Sequence, residues 1–255
     1  MGSVHRLGAG TLAVAHAIGG MTVLLFQLTW NTLLFRMDPL ELWRNLYKVG
    51  VKSFPIVVVT ALLVGAIMVV QTGQLVSQYD AFGLLGWGAA FATFREIGPV
   101  MIGLMLSGRV GANNTAELGT MVVTEQVDAL RALAIPPLTY LLTPRYLAIV
   151  VMTLLLTVVG DLTAIVGGAL TAKFMLGVEP TLFFWSVDEY IKVADFLNGL
   201  VKAFFFGMAI AVVSCHFGVT TTGGAVGVGR SVNNSVVASA VSIFVLDYVV
   251  TYVLK

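Results

Sequence analysis

A chain of 255 residues with 58% hydrophobic and 11% charged side chains, and a mean hydropathy of +0.95, is too apolar for a soluble domain, where roughly 25% of residues are charged. Recurrent long apolar runs point to a polytopic helical membrane protein, and no roughly ten-residue alternating segments favour a transmembrane β-barrel. The net charge of +1 carries little by itself, and the lone Cys215 rules out a disulfide framework within the chain.

The apolar runs fall at about 11–35, 54–77, 84–108, 146–172, 194–217 and 236–254. The first follows Arg6 and carries His16, Gln27 and Asn31. It resembles a signal peptide only loosely, being long and lacking a small-residue cleavage site. Next, Arg44, Lys48 and Lys52 recur at every fourth position, opposite Leu40, Trp43, Leu46 and Tyr47. Such a helix is expected in the membrane interface, with its cations toward anionic headgroups. A first run that crossed from a cytoplasmic N-terminus would put this basic helix outside, against the positive-inside rule. Residues 1–52 are therefore expected to be membrane-interfacial without crossing, and 53–255 to form a five-span core, all in one domain.

The charge map sets the expected orientation. Arg6, Arg36, Arg44, Lys48, Lys52, Arg109, Arg131, Arg145 and Arg230 fall on one side, and only Lys173, Lys192 and Lys255 on the other. This bias makes the N-terminus cytoplasmic and the C-terminus external. In the external 173–195 loop, which also carries Glu179, Asp188, Glu189 and Asp195, the residues Leu182, Phe183, Phe184, Trp185 and Tyr190 predict a short helix at the interface. An odd number of spans and the lack of an internal repeat argue against the duplicated halves of many secondary transporters.

Five ionisable residues fall within the expected spans: Arg95, Glu96, Asp161, Lys202 and Asp247. Each costs at least about 2.5–3.5 kcal/mol near the bilayer centre without water or a partner. For Arg95, Glu96 and Lys202 a polar pathway is the favoured reading. For Asp161 and Asp247, structural pairing and a functional role stand level. Adjacent helical positions project about 100° apart, so Arg95 and Glu96 are expected to face different partners. Pro99 permits a kink beside them. Gly103, Ser107 and Gly111 form a small-residue ridge for close helix packing. Gln71, Gln74 and Tyr79, at the outer end of the first span, either meet a lipid headgroup or are ordinary interfacial residues.

Beyond Arg109 the sequence reads as a polar, glycine-bearing bend leading to a short cytoplasmic helix over 124–135. Thr124 is placed to cap it, Glu125 and Asp128 suit its first turn, and Arg131 follows. Leu118, Met121, Val122, Val127, Leu130 and Ala134 give it an apolar side, and Pro136-Pro137 ends it. Such a helix would either dock an ATPase, through Thr124, Glu125, Gln126, Asp128 and Arg131, or rest on the membrane.

Gly224-Ala-Val-Gly-Val-Gly229-Arg230-Ser231 approaches a phosphate-binding loop, but lacks the lysine and the α/β context. A tight cytoplasmic turn ending at Asn233-Asn234 is expected instead. His5, His16 and His216 are scattered, without a metal-ligand or triad pattern, so neither an enzyme nor a metal site is expected. The basic residues lie at an expected membrane surface, which gives nucleic-acid binding no support.

The block REIGPVMIGLMLSGRVGANNTAELGTMVVTEQVDAL at 95–130, PRY at 144–146, TTGGAVGVGRSVNNSVV at 221–237 and LDYV at 246–249 resemble the MlaE/YrbE family. These are the permease subunits of Mla- and Mce-type lipid ABC transporters, with chloroplast relatives. The likeness runs from about residue 40 to the end; the first forty match in character only. It implies an all-α homodimer of five-span subunits in the cell inner membrane, each with an N-terminal interfacial helix and a cytoplasmic coupling helix. It also implies a cytoplasmic ABC ATPase that uses ATP and Mg²⁺ and docks at about 124–135, and a periplasmic MCE-domain protein on the outer face. Some systems add a small STAS-domain protein. Phospholipids or related membrane lipids would occupy a cavity between the two permeases, with Arg95, Glu96 and Lys202 as its polar residues, in the service of outer-membrane lipid asymmetry. The rival expectations are an ion-coupled secondary transporter using Glu96, Asp161 and Asp247, and a non-transporting membrane scaffold.

Overall fold

A computed structural model describes residues 2–254, without the side chains of 2–11, 13 and 14. The charge-map positions Arg6 and Lys255, and His5, thus lie outside the described side chains. The described residues form helices and no strand: α1 Gly2–Leu33, α2 Pro39–Gln78, α3 Phe82–Val123, α4 Gln126–Ala132, α5 Leu138–Leu176, α6 Pro180–Tyr190, α7 Val193–Val219 and α8 Gly224–Val253. Five of them, α2, α3, α5, α7 and α8, are long and apolar enough to cross a bilayer, in agreement with the expected five spans.

The basic segment is not a separate helix. Asp38 caps α2, accepting from the Leu40 and Glu41 backbone N–H groups at 2.8 and 3.4 Å, and Pro39 supplies the first turn. From there one 40-residue helix, about 60 Å long, runs through Pro55 to Gln78. Its basic stripe is divided. Arg44 and Lys52 are exposed, whereas Lys48 turns inward to Glu117 on α3. Leu40, Trp43 and Tyr47 form an exposed apolar face, as the pattern required.

The polar bend expected after Arg109 is helical. The polar side chains there are satisfied between helices: Asn114 Nδ2 donates to Ser214 Oγ at 2.9 Å, and Thr115 Oγ1 bonds Ser235 Oγ at 2.9 Å. Helix α3 therefore continues to Val123, and the chain bends only at Glu125, whose φ is +60°. Thr124 does not cap α4; its hydroxyl bonds back to the Thr120 carbonyl at 2.8 Å, and α4 has only seven residues. Leu118, Met121 and Val122 belong to α3 rather than to this helix. The last span also begins earlier than expected. Gly223 and Gly224, at φ +88° and +66°, make the turn, and the remaining glycines lie in the first turns of α8. A helix at Gly224–Ser231 cannot form a phosphate-binding loop.

Helix α3 contains two widened π-helical turns, at Thr93–Ile97 and Ser107–Gly111, and α5 opens with another at Leu138–Leu142. In the first, the Gly98 N–H reaches the Thr93 carbonyl, directly ahead of Pro99; in α5, Thr143 reaches Leu138 directly ahead of Pro144. Each proline lacks the N–H that would close the preceding α-turn, and its ring crowds that turn's carbonyl, so the backbone widens.

The core is built by close approach. Gly65 of α2 faces the Ala164 carbonyl of α5 and Gly167 of α5 faces the Leu62 carbonyl of α2, leaving no room for a side chain at either crossing point. The small-residue ridge on α3 receives α7 as expected, with Gly103 against Phe206 and Gly111 against Ile210. Leu28 of α1 is fully buried in this core, and Thr29 bonds the Tyr146 hydroxyl at 3.2 Å. The predicted helix in the 173–195 loop is α6. Phe183 is buried against α3, while Trp185 and Tyr190 join Trp87 in an aromatic cluster.

Candidate functional site

The bundle has two chemically different ends. At one, α2, α3 and α5 meet through Lys48, Glu117 and Arg145. At the other, α3, α7 and α8 meet through Glu96, Lys202 and Asp247. The cost of burying charge explains why each group is paired.

Lys202, with 3% of its side chain exposed, is the most buried of these groups. Its Nζ lies 2.5 Å from Glu96 Oε2 and 2.9 Å from Asp247 Oδ1. The Asp247 oxygen is at ion-pair distance but poorly aligned to accept a hydrogen bond. Thr251 Oγ1 adds a contact to Glu96 Oε1 at 3.4 Å. One ammonium thus bridges two carboxylates from two other helices, filling the place a cation would take. Among the described residues no three His, Cys, Asp or Glu side chains converge as metal ligands.

Arg95 is held more loosely. Its guanidinium lies 3.8 Å from Asp195 Oδ1 and 5.2 Å from the centre of the Phe91 ring. Asp195 is already committed, since its other oxygen accepts from the Lys192 backbone N–H at 3.1 Å and caps α7. Arg95 and Glu96 thus have different partner residues, as expected, although Asp195 and Lys202 lie on the same helix two turns apart. Both sit in the widened turn ahead of Pro99, which alters the projection assumed for a regular helix.

The sequence reading united Arg95, Glu96 and Lys202, and the structure brings them to one locus. It adds Asp247, left open before, together with Asp195 and Thr251. Gln71 and Gln74 on α2 and Tyr79 just past its end are exposed and make no hydrogen bond with the cluster. Asp161 stands apart: buried, both carboxyl oxygens unpartnered, it packs against Gly98. Of the three carboxylates named for an ion-coupled secondary transporter, Glu96 and Asp247 share a partner and Asp161 lies apart.

At the opposite end α4 projects with Val127 buried and Thr124, Glu125, Gln126, Asp128 and Arg131 all exposed. Asp128 and Arg131 pair at 2.8 Å on its surface. The stem of α4 is the last part of α3, anchored by Glu117. That carboxylate accepts from Lys48, from Asn113 at 3.2 Å and from Arg145 at 3.2 Å. Sequence reasoning missed Glu117; its four-residue spacing from Asn113 was the one local signal.

The family description "Permease MlaE" matches residues 42–253. A "Probable ABC transporter permease protein" of Rickettsia felis is 34% identical over 247 residues, covering 97% of this chain and 95% of the relative. Another so described, from Synechocystis sp., is 35% identical over 206 residues, covering 81% and 78%. The chloroplastic protein trigalactosyldiacylglycerol 1 of Arabidopsis thaliana is 36% identical over 216 residues, covering 82% of this chain and 61% of the relative. With five apolar helices of spanning length and this match across nearly its whole length, the chain belongs to the MlaE family of multi-pass ABC-transporter permeases.

Proposed function

We infer that this permease moves phospholipids or related lipids between the cell inner membrane and a periplasmic MCE-domain carrier, powered by a separate ATPase. The observation that carries the lipid reading is the Glu96–Lys202–Asp247 bridge beside the loosely held Arg95. Lys202 is buried, but the Glu96 side chain is 41% exposed and Arg95 30%, so the cluster opens at the bundle surface. A lipid phosphate can approach Arg95, whose fork geometry suits it, while acyl chains stay on the apolar faces. The Arabidopsis relative, whose name carries a diacylglycerol glycolipid, supports a lipid cargo.

The motor would dock on α4, with ATP and Mg²⁺ bound by the ATPase rather than by this chain. Helix α3 carries the proposed lipid contact and leads directly into the proposed dock. From Glu96 to Glu117 it spans about 32 Å, with two widened turns at which register can shift. A push on α4 would travel along α3 to the Lys202 bridge. The exposed apolar faces of α2 and α8 suit lipid or a second copy in a homodimer. A small STAS-domain protein is an optional further partner. The basic end, holding Lys48, Lys52, Arg109, Arg131, Arg145 and Arg230, would face the cytoplasm, with the N-terminus there and the C-terminus in the periplasm.

The test is co-purification from cells followed by mass spectrometry of bound lipid and partner proteins. Stoichiometric phospholipid with an ABC ATPase is expected. A complex that carries no lipid and leaves ATPase activity unchanged would favour a non-transporting scaffold instead.

A further inference from the structure

At the basic end a cavity of about 190 Å³ opens between α2, the second widened turn of α3 and the start of α5. Lys48, Lys52, Arg109 and Arg145 all line it. The carboxylate facing this group is Glu117, which engages Lys48 and Arg145. Among the described residues neither Lys52 nor Arg109 has a carboxylate at ion-pair distance. Three buried donors in this wall lack any hydrogen-bond partner: Ser53 Oγ, Arg109 Nη1 and Arg145 Nε. Ser53 is fully buried in the cavity wall.

Buried donors without partners are uncommon and costly, and four cations against one carboxylate leave a positive interior. Both faults are corrected by one occupant, a compact anion with several acceptor oxygens. The geometry points to a binding site for a phosphate group, independent of the lipid-path cluster at the other end and of what the cargo is. Arg109 offers a planar fork that matches phosphate oxygens, Arg145 its unpartnered Nε, the lysines point charge, and Ser53 a neutral donor. A site for one water needs only about 10–15 Å³ on the same measure, so the cavity has room for a phosphate with attendant water. Arg109 lines the cavity from the widened Ser107–Gly111 turn. Lys52 and Asn113 form the exposed mouth. Lys52 neighbours the exposed apolar Val51 and Phe54, so an anionic lipid headgroup entering from the bilayer is the source this placement favours over a soluble phosphate.

The experiment uses the full chain in nanodiscs of an uncharged galactolipid. Thermal stability is followed as phosphatidylglycerol is mixed into the disc or as inorganic phosphate is added, with chloride matched for ionic strength. Lys52→Gln is the main variant, with Arg109→Gln beside it in case Arg109 is needed for folding. Stabilisation by phosphatidylglycerol but not phosphate, weakened at least about tenfold in Lys52→Gln, supports the site and a lipid source. Stabilisation by both probes, similarly weakened, supports the site with a soluble phosphate as occupant. No stabilisation by either, or equal stabilisation of wild type and Lys52→Gln, overturns it.

Discussion

Replacing Lys202 with methionine removes a buried ammonium while nearly conserving shape. Two carboxylates remain, Glu96 from α3 and Asp247 from α8, which had shared the Nζ at 2.5 and 2.9 Å. Breaking a buried ion pair by removing one partner costs about 3–5 kcal/mol, since the other charge is left stranded. Here the lower end applies. Glu96 is 41% exposed and can swing toward water, whereas Asp247, at 21%, is the charge left behind. A loss of about 3 kcal/mol corresponds to about 6–12 °C in melting temperature for a chain of this size. Thermal unfolding of the purified permease, followed by helical circular dichroism, reads this directly. The triple variant Lys202→Met/Glu96→Gln/Asp247→Asn strands no charge and is expected to recover most of the loss. A Lys202→Met protein that melts within about 1 °C of wild type, or a triple variant no better than the single, would refute the assignment of the bridge.

Three other outcomes follow from the same geometry. Reversing Asp128 and Arg131 singly on α4 should cut co-purification of the ATPase, whereas Thr124→Ala, which removes no helix cap, should change stability by under about 0.5 kcal/mol; an ATPase complex that survives both reversals at high salt contradicts the docking surface. Gly65→Leu or Gly167→Leu should prevent α2 from seating on α5 and lower folded yield sharply, so a normal melt of either would contradict the backbone contact. Asp161→Val removes a buried carboxyl that has no partner and should raise the melting temperature by a few degrees, whereas a fall would reveal a hidden partner.

Much of the architecture was legible because a bilayer demands long apolar helices, and the runs at 54–77, 146–172 and 194–217 fall within α2, α5 and α7. The errors came where local polarity is answered across the bundle. Asn113, Asn114 and Thr115 read as a bend, yet Asn114 and Thr115 bond to Ser214 and Ser235, about a hundred residues away, and the helix continues. Likewise the basic stripe on α2 read as headgroup-facing, because nothing local announces that Glu117 draws Lys48 inward. The candidate site was partly legible for the opposite reason. Charges are so costly inside a membrane that Arg95, Glu96 and Lys202 stood out by expense alone. Asp247 stood out too but without a partner, and Asp195 read as a loop residue, since pairing depends on helix rotation, and the widened turn ahead of Pro99 changes that rotation.

The central claim is that the Arg95–Glu96–Lys202 locus lies on the lipid path and is driven from α4. Its most direct test is ATP-dependent transfer of a labelled phospholipid by the reconstituted complex, comparing wild type with Arg95→Gln/Glu96→Gln/Lys202→Met. The account predicts that the variant still assembles with its ATPase and hydrolyses ATP, while lipid transfer falls at least about tenfold, the loss of one charge-assisted contact or more. Transfer at the wild-type rate by that variant would contradict it.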